Sequence, residues 1–413
     1  MNLFSLLAGV ELKKDLWTIL INWFKGSVVN VGWTILLVTL FVKLVTIPLD
    51  FMVRLTTKKQ TLIQQKCAPQ VAKLQKKFGA DRQRLQAQTQ ALYKKEGLNT
   101  GTGCIVQLVN MILSMVIFFT FYSSLQKFSA YEAINQYETI ETTFNDASIE
   151  ALIDYEYANS ADDIIIDKAS ANQFIKDYEA AFKFVNDSSK DKTSQEYLDK
   201  KAFVEKHEAN VENAAEFAVK ASQEKWEEIK PNWLWIENVW VADATTNVFP
   251  DYASLKKMAS NAGGYYKDYV NKNISEGDYK QISNIIQAES RKYNGYYILA
   301  VLAGVITLAS QFISDFHTKL KNKRANTLAK ATNQNATSLK IIKFILPITM
   351  ILFVLTSSAS FGIYLLASNI ASIVTGELIA LIVNRITRKR QLEVEEELEK
   401  EATRLIKKGK LQE

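Results

Sequence analysis

Five stretches of the chain are almost wholly apolar, and strongly polar residues separate them. They run over 28–53, 104–125, 295–316, 341–356 and 361–384. A helix needs about 20 apolar residues to cross ~30 Å of hydrocarbon. The first, second, third and fifth runs reach that length. The fourth is shorter, and only residues 357–360 separate it from the fifth, so those two are expected to form a helical hairpin over 341–384. The pattern predicts an all-α membrane protein with five transmembrane helices. Ahead of the first span, Leu12, Trp17, Leu20, Ile21 and Phe24 fall on one side of a helix, so 1–27 reads as an interfacial amphipathic segment. Residues 1–10 are too short and too poor in early basic charge for an ordinary signal peptide.

The polar intervals differ in character. Residues 54–103 predict a cytoplasmic helical hairpin. Pro69 suits the first position of a helix, Val71, Leu74 and Phe78 share a side, Gly79 and Ala80 break the chain, and Asp81 can cap the next helix. Residues 126–294 form a long insert with an α-helical pattern. Within it, 193–196 reads as a capping box, Val204, Val211, Ala215, Val219, Trp226 and Ile229 keep helical spacing, and Pro231 ends the run. Trp233, Trp235 and Trp240 are expected at the outer interface as an aromatic belt.

Charge supplies the orientation. Residues 54–103 carry eleven Lys and Arg against two acids, and 319–343 carries seven bases and no acid. The stretch 126–231 has twelve lysines and twenty-three acids, and the tail 385–413 has nine bases and seven acids. Lys and Arg gather on short cytoplasmic loops. The hairpin, the loop 317–340 and the tail are therefore assigned to the cytoplasm, and the N-terminus and acidic insert to the outside of a cell membrane. Basic stretches can also meet anionic membrane lipids or RNA.

Candidate chemistry is confined to the spans. Cys67 and Cys104 form no CxxC pair, which argues against a disulfide framework or a zinc site. His207 and His317 read as solvated surface, and no cofactor is implied. Polar residues recur on single helix faces: Thr39, Lys43, Thr46 and Asp50; Gln107, Asn110 and Ser114; Thr307, Ser310, Gln311 and Ser314; and Ser368, Ser372 and Thr375, with Asn369 and Gly376 adjoining. Such stripes can line one groove or bond helix to helix. Lys43 favours the groove. It lies ~16 Å along the helix from Arg54, and a lysine at depth costs ~2.5–3.5 kcal/mol unless it meets water or a counter-charge. Glu377, ~12 Å from Arg385 by the same rise, has a similar depth and is a candidate partner for Lys43.

Several motifs together carry a family resemblance. The stretch 32–49, GWTILLVTLFVKLVTIPL, resembles the first core span of the YidC family of membrane protein insertases. Residues 69–100, with the element LYKKEGLN, resemble its cytoplasmic hairpin. Gly103 and Cys104 match a Gly-Cys pair at the next span, and 233–243, WLWIENVWVAD, matches an external aromatic segment. Leu346, Pro347 and Ile348, and Gly362 to Tyr364 through Ser368 and Asn369, match the last hairpin. The departures are Lys43 for an intramembrane Arg, Thr100 and Val106 for prolines, and Asn110 and Ile112 for a Gln and a Pro.

The resemblance implies an insertase and chaperone that needs no ATP, metal or catalytic residue. It would pass hydrophilic segments of nascent membrane proteins through a polar intramembrane groove. The expected groove residues are Lys43, Thr39, Thr46, Gln107, Asn110, Ser114, Gln311, Ser368, Ser372 and Glu377. Implied partners are nascent membrane proteins, the ribosome, the Sec translocon and membrane lipids. Two other readings stay open: a secondary transporter working through Lys43 and Glu377, and a membrane-anchored protein whose external insert makes the functional contacts.

Overall fold

The computed structural model describes residues 9–26, 30–97, 100–159, 168–289, 293–329 and 336–407. The described residues form helices and connecting turns, with two isolated β-bridges. The chain divides into two compact units.

One unit contains Lys14–Leu125, Ala242–Ala244 and Gly295–Glu413. Its first helix, α1 (Leu16–Lys25), starts at Asp15, whose carboxylate accepts from the Trp17 and Thr18 amides, while the Thr18 hydroxyl accepts from the Asp15 amide. Leu16, Ile19 and Trp23 project outward along one edge, and the Trp17 ring packs edge-on against Phe121 at 5.3 Å. Helix α2 (Val31–Phe78) begins at Asn30, which accepts from the Gly32 amide, and continues through Pro48 and Pro69. The expected helix start at Pro69 is therefore replaced by a single 48-residue helix. A proline costs one backbone bond, but here Lys66 and Lys73 pin the flanking turns to Glu397 and Glu401.

Asp81 caps α3 (Arg82–Lys95) by accepting from the Arg84 amide. Helix α3 returns along α2. Leu92 and Tyr93 pack against Ile63, Cys67 and Val71, and Lys66 meets Glu96 at 3.0 Å. Burial pushes the Cys67 thiol up from its ordinary range. Helices α10 (Ile298–Ala329), α11 (Ala336–Thr356) and α12 (Ala359–Lys407) complete this unit. Helices α2, α10 and α12 pack against one another, and α10 also packs on α11.

The other unit contains Met1–Lys13, Gln126–Val241 and Thr245–Asn294. It is built from the distal part of α4 (Thr100–Asn159), α5 (Lys168–Val185), α6 (Gln195–Ile229), α7 (Tyr252–Ala262), α8 (Gly264–Asn273) and α9 (Glu276–Glu289). Its largest core joins Ala130, Ile134, Tyr137 and Ile140 of α4 to Trp226, Phe249, Tyr266 and Tyr279. A second core joins Ile149 and Leu152 to Phe174, Tyr178 and Val204. His207 is 3% exposed, between the Phe174 and Phe203 rings; it is not solvated, because it shares the α6 face of Val204 and Ala214. The N-cap of α6 is Ser194, one residue beyond the expected Thr193, whose hydroxyl donates to Asp191 instead. Pro231 follows the end of α6.

The tryptophans also depart from expectation. Trp233 and Trp240 are buried, and Trp240 stacks on Phe128 at 5.7 Å. An aromatic belt would expose them; here Asn238 and Asn294 knit the segment closed through three hydrogen bonds. The side chains of Cys104, Ser314 and His317 lie outside the described residues.

Among the described residues, three helices are long and apolar enough to cross a membrane: Val31–Phe78, Ile105–Tyr155 and Ala359–Glu401. Ile298–Ile313 and Pro347–Thr356 are shorter apolar stretches.

Candidate functional site

The groove candidates fall into two groups. Thr39, Lys43 and Thr46 lie on α2, Gln311 on α10, and Ser368, Ser372 and Glu377 on α12, three helices in mutual contact. Gln107, Asn110 and Ser114 lie on α4. Gln107 and Ser114 are exposed, Asn110 is half-buried, and the surrounding Ile105, Leu108, Met111 and Met115 are exposed as well. Helix α4 meets α11 and α12 through Phe118, Phe121 and Tyr122, which cluster with Phe353, Phe361 and Tyr364. That cluster is a turn or more beyond Ser114.

Lys43 is 23% exposed, and its Nζ lies 3.9 Å from Asp50 Oδ2, itself 27% exposed. Seven residues, two helical turns, separate them on the same face of α2. The partner is therefore Asp50 on its own helix, not Glu377, which is half-buried on α12. Asp50 continues the sequence stripe at i+7 from Lys43, although Glu377 was the partner expected for Lys43.

The hydroxyls are occupied locally. Thr39 donates to the Ile35 carbonyl at 2.7 Å, Thr46 to Lys43 at 3.0 Å, and Ser372 to Ser368 at 2.6 Å. Thr307, Ser310 and Thr375 also donate within their own helices. Such back-bonds satisfy the proton and leave an oxygen that can only accept. The stripes therefore do not join helix to helix through these protons. The Gln311 Oε1 is buried and has no hydrogen-bond partner, which leaves an acceptor open among the packed helices.

A second cation was not assigned to the site from the sequence. Arg54 on α2 lies over Gly376 on α12: a Cβ at Gly376 would stand 2.5 Å from Arg54 Nη2 and 3.3 Å from Cζ. Arg54 follows Asp50 at i+4 and extends the Lys43 stripe. Its position at the end of the apolar run marked it as a boundary, and Gly376 gave the remaining signal.

Outside these helices, Asp243 is fully buried, and neither carboxylate oxygen has a hydrogen-bond partner within the usual distance. Burial pushes its carboxyl up to about 6, opposed by the nearby Ala300 and Leu299 amides at the start of α10. A helix start favours negative charge there.

Residues 23–169 match the family model described as 60Kd inner membrane protein. A membrane protein insertase YidC of Wolinella succinogenes is 32% identical over 108 residues, 26% of this chain and 19% of the relative. The corresponding protein of Marinobacter nauticus is 34% identical over 107 residues, 26% of this chain and 18% of the relative. That of Jannaschia sp. is 35% identical over 103 residues, 25% of this chain and 15% of the relative. The chain spans about a fifth of the length of the first two of these relatives. No solved structure matches the chain.

Proposed function

We infer from the chain's membership of the YidC family that it is a membrane protein insertase, handing hydrophilic segments of nascent membrane proteins through a polar groove between α2, α10 and α12. The observation that carries the groove is Lys43 paired with Asp50 within the apolar run of α2, a helix in contact with the polar-striped α10 and α12. Two charges within an apolar run are costly in hydrocarbon and persist where they meet water or each other. Insertion breaks no covalent bond. The physical task is to lower the barrier to moving polar groups past ~30 Å of hydrocarbon, and a wet, charged groove does so.

In this reading all five apolar runs span the membrane, with α3, the distal half of α2 and the end of α12 in the cytoplasm and the acidic unit outside. The ribosome and the Sec translocon are partners on the cytoplasmic and lateral sides. The excess of lysine and arginine in 54–103 and 319–343 supports this orientation. The transporter reading loses its proposed Lys43–Glu377 pair, because Lys43 turns to Asp50.

The experiment is depletion of the chain from its cell, with insertion followed for single-span substrates carrying short translocated segments. Substrates should accumulate uninserted, and the wild type should restore them. Lys43→Arg should restore insertion and Lys43→Leu should not. Normal insertion in depleted cells would remove the insertase reading.

A further inference from the structure

We propose that a cleft in the acidic unit, lined by α4, α5, α6 and α9, is a docking site for a peptide segment in which lysine or arginine alternates with aliphatic residues. The cleft lies wholly within that unit, so the proposal stands apart from the groove and from the insertase reading.

The cleft lies between the two cores of the unit. Ile282 belongs to the larger core, and Ile149, Leu152 and Tyr178 to the second. Its volume is about 690 Å³, within the ~300–1,000 Å³ that ligand pockets occupy. On α4, Glu141, Ser148 and Leu152 share one helix face at i, i+7 and i+11, and that face forms one wall.

Three chemistries meet there. The floor is aliphatic: Ile149, Leu152 and Ile282 are buried, and Ile175 and Val211 are half-buried. The rim carries Glu141, Glu179 and Asp278 against one cation, Lys176. Among the described residues, neither Glu179 nor Lys176 has an ion pair or a hydrogen bond. Glu141 is half-buried and accepts from the Tyr137 hydroxyl, and Asp278 and Glu138 face it with like charge. Burial and like charges raise the cost of keeping a carboxylate ionised, and a guest cation lowers it. Asn145 and Gln281 supply the third chemistry, and among the described residues their amides are not hydrogen-bonded.

An aliphatic floor under a negative rim selects a cation with an apolar body. The amides decide between a peptide and a polyamine. An Asn or Gln side chain is donor and acceptor at once, which matches the N–H and C=O of a peptide backbone. A protonated polyamine offers no acceptor.

The test uses the full chain in nanodiscs of zwitterionic lipid, with empty nanodiscs subtracted. Fluorescence anisotropy follows short peptides of alternating Ile-Lys, Ile-Glu or Ser-Lys sequence. Wild type should bind the Ile-Lys peptide roughly tenfold more tightly than either other. Glu179→Gln should lose roughly two- to fivefold of affinity for Ile-Lys and none for Ile-Glu. Glu179→Lys should lose more and narrow the preference between those two. Ala215→Trp, which fills the cleft from α6, should remove binding without lowering the thermal midpoint. Glu179 is exposed, so its variants keep the test decisive if Ala215→Trp does not fold. An Ile-Lys affinity unchanged in Glu179→Lys overturns the proposal. So does Ser-Lys or spermidine binding as tightly as Ile-Lys, which would make the site a bare polycation trap. If wild type binds Ile-Lys yet depleted cells insert their membrane proteins normally, the insertase reading fails and the docking site stands.

Discussion

The two halves of α4 follow one helical geometry and bury opposite things. From Ile105 to Phe119 the large apolar side chains point outward: Leu108, Met111, Leu113, Met115 and Val116 are all exposed. From Phe128 to Leu152 they point inward, with Ala133, Ile134, Tyr137, Ile140 and Leu152 buried. Burial of apolar surface is worth about 25 cal/mol per Å² when the alternative is water. In hydrocarbon that drive between helices vanishes, and association rests on packing and polar contacts. The distal half behaves as a protein core in water; the proximal half is shaped for a solvent that is itself apolar. The helix is continuous, so the change of surroundings, not of backbone, sets which side chains are hidden.

That comparison can be broken most directly by truncation. Trp240→Ala or Tyr279→Ala, each in a packed core of fully buried rings, should cost about 3–5 kcal/mol. Met115→Ala should change stability by no more than about 0.5 kcal/mol, as at other sites outside a core. Hydrogen exchange across the two halves of α4 in nanodiscs reads both. Equal losses would mean that the proximal half has protein partners.

A smaller effect sharpens the role of burial. The Asp243 carboxyl is raised from 3.8 to about 6. A raised acid gives its stability in the protonated form, fully present below 3.8 and lost as pH rises to about 6. The urea midpoint of wild type should therefore fall relative to Asp243→Asn between those values and stay level above them. A constant difference would show that the Leu299 and Ala300 amides hold the carboxylate ionised throughout.

The smallest effect is expected where charges meet water. Lys73 and Glu401 are 2.7 Å apart, 65% and 26% exposed. Their coupling in a double-mutant cycle of Lys73→Gln and Glu401→Gln should be about 0.2–1 kcal/mol and shrink in high salt. A larger coupling would place this end of α12 in a drier setting than its exposure implies.

Much of this was legible in the sequence because it is local. The apolar runs became apolar helices, Asp81 became an N-cap, and Pro231 followed the end of α6. What escaped depends on neighbours distant in sequence. Pro69 carries a start signal, yet ion pairs to α12 on either side accompany an unbroken helix. His207 is polar in isolation and becomes core once Phe174 and Phe203 flank it. The indole rings of Trp233 and Trp240 look like interface anchors until asparagine bonds close the chain over them. At the site, spacing gave the Lys43 stripe, but not that Asp50 would win over Glu377, nor that Arg54 would lie on a glycine of another helix.

The length of α2 and α12 has a mechanical consequence. With 48 and 49 residues, each is roughly 72 Å long at 1.5 Å per residue. A hydrocarbon layer of ~30 Å takes up less than half of that, and the remaining ~40 Å is a paired strut, tied at Lys66–Glu397 and Lys73–Glu401. The strut works as a lever. A tilt of about 5° at the membrane moves its far end by about 3 Å over that length, and a push of that size on the tip returns the same tilt to the turns around Arg54 and Gly376. Force applied at the far end of the strut therefore arrives at the apolar halves of α2 and α12 as rotation.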